Sequence, residues 1–275
     1  LYDGEGRLTN KFIIVSNGDP AHEATIVDGN ERVVAARLYD AKFFYDEDLK
    51  RPLEDYVEGL SQVVFQESLG STLAKTERVV KLAAHLAADA GLTGQDAADA
   101  ERAAYLCKAD LVTGAVVEFT SVQGIMGRYY ALAAGETPQV AQAIADHYRP
   151  RFAGDDLPES RVGQVVAMAD KVDTICGLFA VGQAPTGSSD PFALRRAAIG
   201  VIAMLEAGLP VSLLDAIDAA LAGIAADGIA FDEAAVHAEV VEFFIARVKV
   251  LLREEGAAAD AIDAVLATGV AEPMA

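Results

Sequence analysis

Tryptophan is absent and aromatic residues make up only 7% of the 275 positions. That weakens any reading as a base-stacking or carbohydrate-binding platform. Cysteine is nearly absent too. Cys107 and Cys176 lie in apolar stretches with no CxxC partner, which argues against a disulfide scaffold or thiolate zinc site and fits a reducing cytosol. Histidine is limited to His22, His85, His147 and His237. None falls in HExxH or HxH and none precedes an Asp, so a histidine-based metal centre lacks its usual local ligand spacing. Basic residues are outnumbered, with 22 Lys+Arg against 42 Asp+Glu and a formal net charge of -20. Such a field repels phosphate backbones, so contact with nucleic acid requires a local cluster of Arg and Lys. No apolar run reaches the length of a membrane span and no signal peptide is evident. The chain opens on Leu1 rather than Met, as expected for a piece of something longer.

What is present is globular and helical. Hydrophobic residues are 52% of the chain and charged ones 23%, enough for a substantial core. Phe12 to Val15 reads as a short strand before the turn residues Ser16 to Pro20. From Gly29 the period is helical, with Val33, Val34, Leu38, Ala41 and Phe44 on one expected buried face. Asp46 to Pro52 breaks that helix, and Leu53, Val57, Leu60, Val64 and Leu69 resume it. Further helices are predicted over 73–90, 97–117, from the Thr137 cap and Pro138 to about His147, and over 162–181. Asp190-Pro191 reads as the start of the next. Phe231 to Glu255 is a long amphipathic helix after a shift in composition at Gly228, and a last helix covers 258–267. Within the 97–117 stretch, Tyr105 to Leu111 carries charge inside an apolar run, a local conflict.

Four places could carry chemistry. Asp170 and Asp173 share a helix face, which suits either a Mg²⁺ or acid/base carboxylate pair or, as the preferred reading, salt-bridge anchors in a polar seam. Gly182 to Ser189 precedes a helix start that favours anions, but it lacks the Gly-Lys-Ser/Thr ending of a P-loop. Arg195-Arg196 is the only pair of adjacent arginines. Gly124-Ile125-Met126-Gly127 suits close helix packing or a kink, and Arg128, with Arg149 and Arg151, is a candidate for a basic patch. No Gly-x-Ser-x-Gly element appears, and neither cysteine has a nearby following His, so nucleophilic hydrolysis lacks support.

Several long strings resemble the bacterial glycyl-tRNA synthetase β subunit family. They are Gly29-Asn30-Glu31-Arg32-Val33 with Ala36 to Tyr45, Val64-Phe65-Gln66 through Gly70 with Lys75-Thr76-Glu77-Arg78, and Lys108 to Thr113. Gln123 to Tyr130 and Pro185-Thr186-Gly187 through Asp190 to Arg196 continue the match in order, over nearly the whole chain. Ala115-Val116-Val117-Glu118-Phe119 stands where the family usually has Met-Val-Gly-Glu-Phe, and Val122 replaces a Leu; both are apolar swaps.

The resemblance implies a mostly α fold in three parts: residues 1–30 ending a β-containing domain, an HD-like helical domain over 31–228, and the start of an anticodon-binding domain over 229–275. It implies a cytoplasmic, heteromeric glycine–tRNA ligase in which an α subunit, the partner, holds ATP and Mg²⁺ and does the chemistry. The β subunit contacts glycine tRNA. This stretch is then expected to be non-catalytic, with no cofactor or metal of its own. The expected tRNA contacts are Arg128, Arg149, Arg151, Lys171, Arg195 and Arg196. HD-type phosphohydrolases hold a metal with a His, a His-Asp pair and a distal Asp; here Lys75, Cys107-Lys108 and Asp170 fall at those places. A lysine in place of a carboxylate repels a divalent cation, so the hydrolase chemistry is expected to be lost. The alternatives are a metal-dependent HD-type phosphohydrolase and a purely architectural module.

Overall fold

The computed structural model describes residues 1–152 and 154–267. They divide into two compact units, one covering Leu1–Phe44 and one starting at Tyr45. In the first unit the Asp3 carboxylate collects the amides of Glu5 and Arg7 and the Arg7 guanidinium, which closes a tight N-terminal turn. The strand expected at Phe12 to Val15 does not form. Those residues pair with nothing, and Ile13 and Val15 are 74% and 96% exposed. A β-prone run needs a second strand to complete its ladder, and none is offered in this unit.

Helix α1 (Glu23–Asp48) follows. Its predicted apolar face is not buried, since Val33 and Leu38 are 62% and 65% exposed. Helical period was legible there, but burial also needs a partner surface, and no other helix or sheet among the described residues of that unit supplies one.

The second unit begins with the last turn of α1 and a 3-10 stretch, Leu53–Gln62, that buries Leu53, Tyr56, Val57 and Leu60. The helix expected to continue through Leu69 gives way to a small antiparallel hairpin, β1 (Val64–Gln66) and β2 (Gly70–Ser71). The Gln66 side-chain oxygen accepts the amides of Ser68 and Leu69 at 2.6 and 3.0 Å, and Gly70 turns the chain at φ +83°. Local side-chain bonding here competes successfully with the helix.

After the hairpin the chain is helical. Helix α2 (Thr72–Asp89) is capped by Ser71, and α3 (Gln95–Leu106) and the short α4 (Gly114–Glu118) flank a 3-10 turn at Ala109–Val112. Then come α5 (Ile125–Ala133), α6 (Pro138–Asp146, capped by Thr137 as expected) and α7 (Arg161–Ala180). The unit closes with α8 (Leu194–Glu206), α9 (Leu213–Ala226), α10 (Glu233–Glu254) and α11 (Ala259–Ala267). Asp190 does serve α8, accepting the amides of Leu194 and Arg195, but from outside the expected first turn. The chain takes an extra loop through Ala193 at φ +56° before the helix begins.

Helix α7 is the axis of this unit. It touches α2, α3, α6, α8, α9 and α10 and is buried on nearly every side from Val162 to Phe179. The amphipathic α10, read from sequence as opening a further domain, lays Val240, Phe243 and Phe244 into this same core, with the Phe243 ring tilted against that of Phe179 at 5.1 Å between centres. A helix enclosed all round has nowhere to place charge except in the interior. Asp170, Lys171 and Asp173 of α7 are therefore held in the core, and their partners define the site.

Candidate functional site: a buried charge cluster below a basic cleft

Asp170 and Asp173 are met by three cations from two other elements. Lys75 of α2 spends all three ammonium hydrogens, on the Asp170 carbonyl (3.1 Å), Asp173 Oδ2 (3.0 Å) and Thr174 Oγ1 (2.8 Å). Lys108, in the turn after α3, donates to Asp170 Oδ2 at 3.0 Å and His147 Nε2 at 2.8 Å. Arg78, one turn along α2 from Lys75, grips both Asp173 oxygens and reaches Asp227 at 2.9 Å. Asp170 Oδ1 lies 3.2 Å from Lys75 without hydrogen-bond alignment.

These pairings set the protonation states. Burial pushes the Asp170 carboxyl up, but the ammonium groups of Lys108 and Lys75 outweigh that and hold it far below the usual carboxylate range. Burial, followed by the charge of Lys108, pushes His147 well below its ordinary value. Its Nδ1 lies 2.6 Å from the Ile144 carbonyl, which can only accept, so Nδ1 carries the proton and Nε2 is free to accept from Lys108. The imidazole is neutral and oriented.

Lys171 points a different way. Its ammonium donates to the carbonyls of His147 (3.1 Å) and Arg149 (2.7 Å), bracing the chain after α6. Gly200 of α8 makes room for it: a Cβ there would stand 3.1 Å from Lys171 Cε and 3.0 Å from Pro150. Burial pulls the Lys171 ammonium down to about 8, with Asp170 opposing and Lys108 and Lys75 assisting. A folded-state value below the unfolded one, 10.5, means that the unfolded chain binds more protons between pH 8 and 10.5. Stability from this group therefore rises with pH across that window. Urea titrations at pH 7.5 and 10 should show a gain of about 3 kcal/mol in wild type relative to Lys171→Met. An equal pH slope in the two proteins would refute it.

Close by, Asp110 anchors the glycine segment that the sequence singled out. Its Oδ2 accepts the amides of Gly124 (2.6 Å) and Gly127 (2.9 Å). Gly124 sits at φ +76°, and a Cβ on Gly127 would meet Ile144 at 2.8 Å, so the segment does provide close packing. Burial raises the Asp110 carboxyl to about 6, against the two amides.

Above the cluster a cleft of about 510 Å³ opens, lined by Ser121, Gln123, Ile125, Tyr148, Arg151, Asp170, Lys171, Phe192 and Arg196 among others. The expected contact residues divide accordingly. Arg151, Lys171 and Arg196 come together in this cleft, and Arg195 joins Arg196 in an adjoining one of about 520 Å³. Arg151 pairs with Asp155, Arg196 donates to the Arg151 carbonyl at 3.2 Å, and Arg195 donates to the Gly187 carbonyl at 2.8 Å. Arg128 lies beside the Tyr129 ring, and Arg149 faces Asp146 at 3.4 Å; neither lines the cleft. Sequence reasoning missed His147, Arg78 and Tyr148. The charged Lys108 inside an apolar run and the spacing of Asp170 and Asp173 were the local signs of the cluster.

The geometry is that of a helical unit whose central carboxylates are neutralised by ammonium groups, beneath a cleft edged with arginine. Both Asp170 oxygens face lysines, so this donor set does not fit a divalent cation, and among the described residues no three His, Cys, Asp or Glu side chains are placed to hold one.

The comparisons supply the family. Residues 1–267 match the family model for the glycyl-tRNA synthetase beta subunit. The chain is similar to the glycine--tRNA ligase beta subunits of Janthinobacterium sp. (50% identity, 97% of this chain, 37% of the relative) and Desulforamulus reducens (48%, 98% and 39%). That of Actinobacillus pleuropneumoniae is 46% identical over 99% of this chain and 39% of its own. This chain belongs to the glycyl-tRNA synthetase β subunit family. It spans less than two fifths of the length of these relatives. No helix among the described residues is long and apolar enough to cross a membrane.

Proposed function

We propose that this chain is a non-catalytic, tRNA-positioning part of the β subunit of a heteromeric, cytoplasmic glycine–tRNA ligase. ATP and Mg²⁺ act in the α subunit, which attaches glycine to its tRNA. The observation that supports the non-catalytic part is the pair of lysines on Asp170: Lys75 and Lys108 put ammonium groups on both of its oxygens, at the residues where the HD resemblance would look for a metal. The charge cluster is then a rigid centre that holds α2, α6 and α7 together, and an HD-like fold is retained for its shape.

The tRNA part rests on the concentration of cations at one cleft in a chain of net charge -20. Arg151 and Arg196 are the exposed members and are the proposed phosphate contacts; Lys171 and Arg149 brace the wall behind them. Binding of labelled glycine tRNA to the full-length β subunit across a salt series tests this. Arg151→Glu with Arg196→Glu should weaken binding about tenfold or more and flatten the salt dependence by about one to two phosphates. Unchanged affinity with an intact fold would favour the architectural module. Metal-dependent phosphatase activity lost on Asp170→Asn would instead favour the phosphohydrolase.

A further inference from the structure

The cleft is lined by more cations than carboxylates. Lys75, Lys108, Lys171 and Arg78 are buried with Asp170, Asp173 and Asp110. Asp227 pairs with Arg78 at the margin, and Asp155 with Arg151 at the mouth. Of the charged side chains that line the cleft, three are cations (Arg151, Lys171 and Arg196) and one, Asp170, is a carboxylate, in a strongly acidic chain. An anion seated in the cleft would meet the exposed guanidinium groups of Arg151 and Arg196.

The walls say what else that anion carries. Tyr148 and Phe192 present rings, Ile125 adds an apolar surface, and the exposed Ser121 and Gln123 supply hydrogen-bonding groups. A volume of about 510 Å³ suits one small ligand or a single unit of a polymer. Ala193, on the same wall, is held at φ +56° without being glycine, the kind of strain that collects at binding sites.

We infer that the cleft binds one nucleoside monophosphate unit, its phosphate between Arg151 and Arg196 and its base against Tyr148 and Phe192. The unit is either a free mononucleotide or a single unstacked nucleotide of a bound RNA; in the second case the inference rests on the tRNA reading above. No bond is made or broken.

Equilibrium dialysis of the full-length β subunit with labelled AMP and CMP tests the site, with adenosine and inorganic phosphate as separate probes. A mononucleotide should bind at least about tenfold more tightly than either half of it. Arg196→Glu should weaken that binding about tenfold while leaving the urea midpoint unchanged. Displacement of the mononucleotide by unlabelled glycine tRNA assigns the site to a nucleotide of the RNA; simultaneous binding assigns it to a free nucleotide. A mononucleotide bound no better than phosphate or nucleoside, or unaffected by both Arg196→Glu and Arg151→Glu, overturns the inference. Salt-dependent tRNA binding without mononucleotide binding would overturn this inference alone. Mononucleotide binding without tRNA binding would overturn the tRNA reading alone.

Discussion

Lys108→Met should lower the free energy of unfolding by about 3–5 kcal/mol at pH 8. The loss is not that of one contact. Lys108 neutralises Asp170 Oδ2 and satisfies His147 Nε2, and both partners are enclosed. Removing the ammonium leaves a buried carboxylate facing Lys75 alone and a buried nitrogen with no donor. Methionine fills the space of the lysine stem, so the cost is electrostatic rather than a cavity.

The pH dependence of the variant separates this from a general loss of packing. In the wild type, burial and the charge of Lys108 keep His147 neutral. Without that charge the imidazole can take up a proton and pair with Asp170, so its folded-state value rises. A raised folded value contributes stability that is present below the unfolded pKa, about 6.5, and is lost as pH rises. The penalty in Lys108→Met should therefore be smaller at pH 5 than at pH 8. Adding Asp170→Asn should recover part of the loss at pH 8, since the unpaired charge is gone. A cost below about 1 kcal/mol, or a penalty that does not change with pH, would mean that the cluster tolerates an apolar group in place of its cation.

This cluster marks where the chain was readable and where it was not. Asp170 and Asp173 could be placed on one helix face because α-helical spacing is local, and the salt-bridge reading of them holds. Their partners could not be paired by period. Lys75 and Arg78 come from a helix 95 or more residues earlier, and Lys108 is 62 residues away. Only the family resemblance set Lys75, Lys108 and Asp170 side by side, and the structure brings those three together.

The mostly α class followed from hydrophobic period, and α2, α6, α7 and α10 begin within two residues of their predicted starts. The failures share one cause. Phe12 to Val15, the outer face of α1 and the stretch after Gln62 each depend on what lies beside them: a pairing strand, a covering surface, or a side-chain-bonded turn. Residue type alone does not supply that information.

Asp48→Ala should cost about 4 kcal/mol, although Asp48 was read only as part of a helix break. Its carboxylate accepts the Gly114 amide at 2.8 Å, the Ala115 amide at 2.9 Å and the Tyr130 hydroxyl at 2.7 Å. Its own carbonyl accepts the Tyr56 hydroxyl at 3.0 Å. Helix α4 has Thr113 at its N-cap, but that side chain makes no capping bond, so Asp48 caps the helix from 66 residues away. The negative charge also meets the positive end of the helix dipole. Alanine at 48 strands two first-turn amides and a buried phenol together.

Asp48→Asn keeps one carbonyl oxygen and should cost about half as much, because one amide retains its acceptor while the dipole loses its charge. Tyr130→Phe removes a single donor and should cost about 1 kcal/mol. A double-mutant cycle between Asp48→Ala and Tyr130→Phe, followed by urea unfolding, should give a coupling of about 1–2 kcal/mol. Strictly additive losses would show that Tyr130 is held by its stack on Tyr45, 5.8 Å between ring centres, and not by the carboxylate. The outcome matters for the cleft as well, because Tyr130 lies on α5, whose N-terminal turn carries Ile125 into the cleft wall and hangs from Asp110. If Asp48 sets the position of α5, Asp48→Ala should weaken mononucleotide binding along with stability, while Asp48→Asn should largely preserve it.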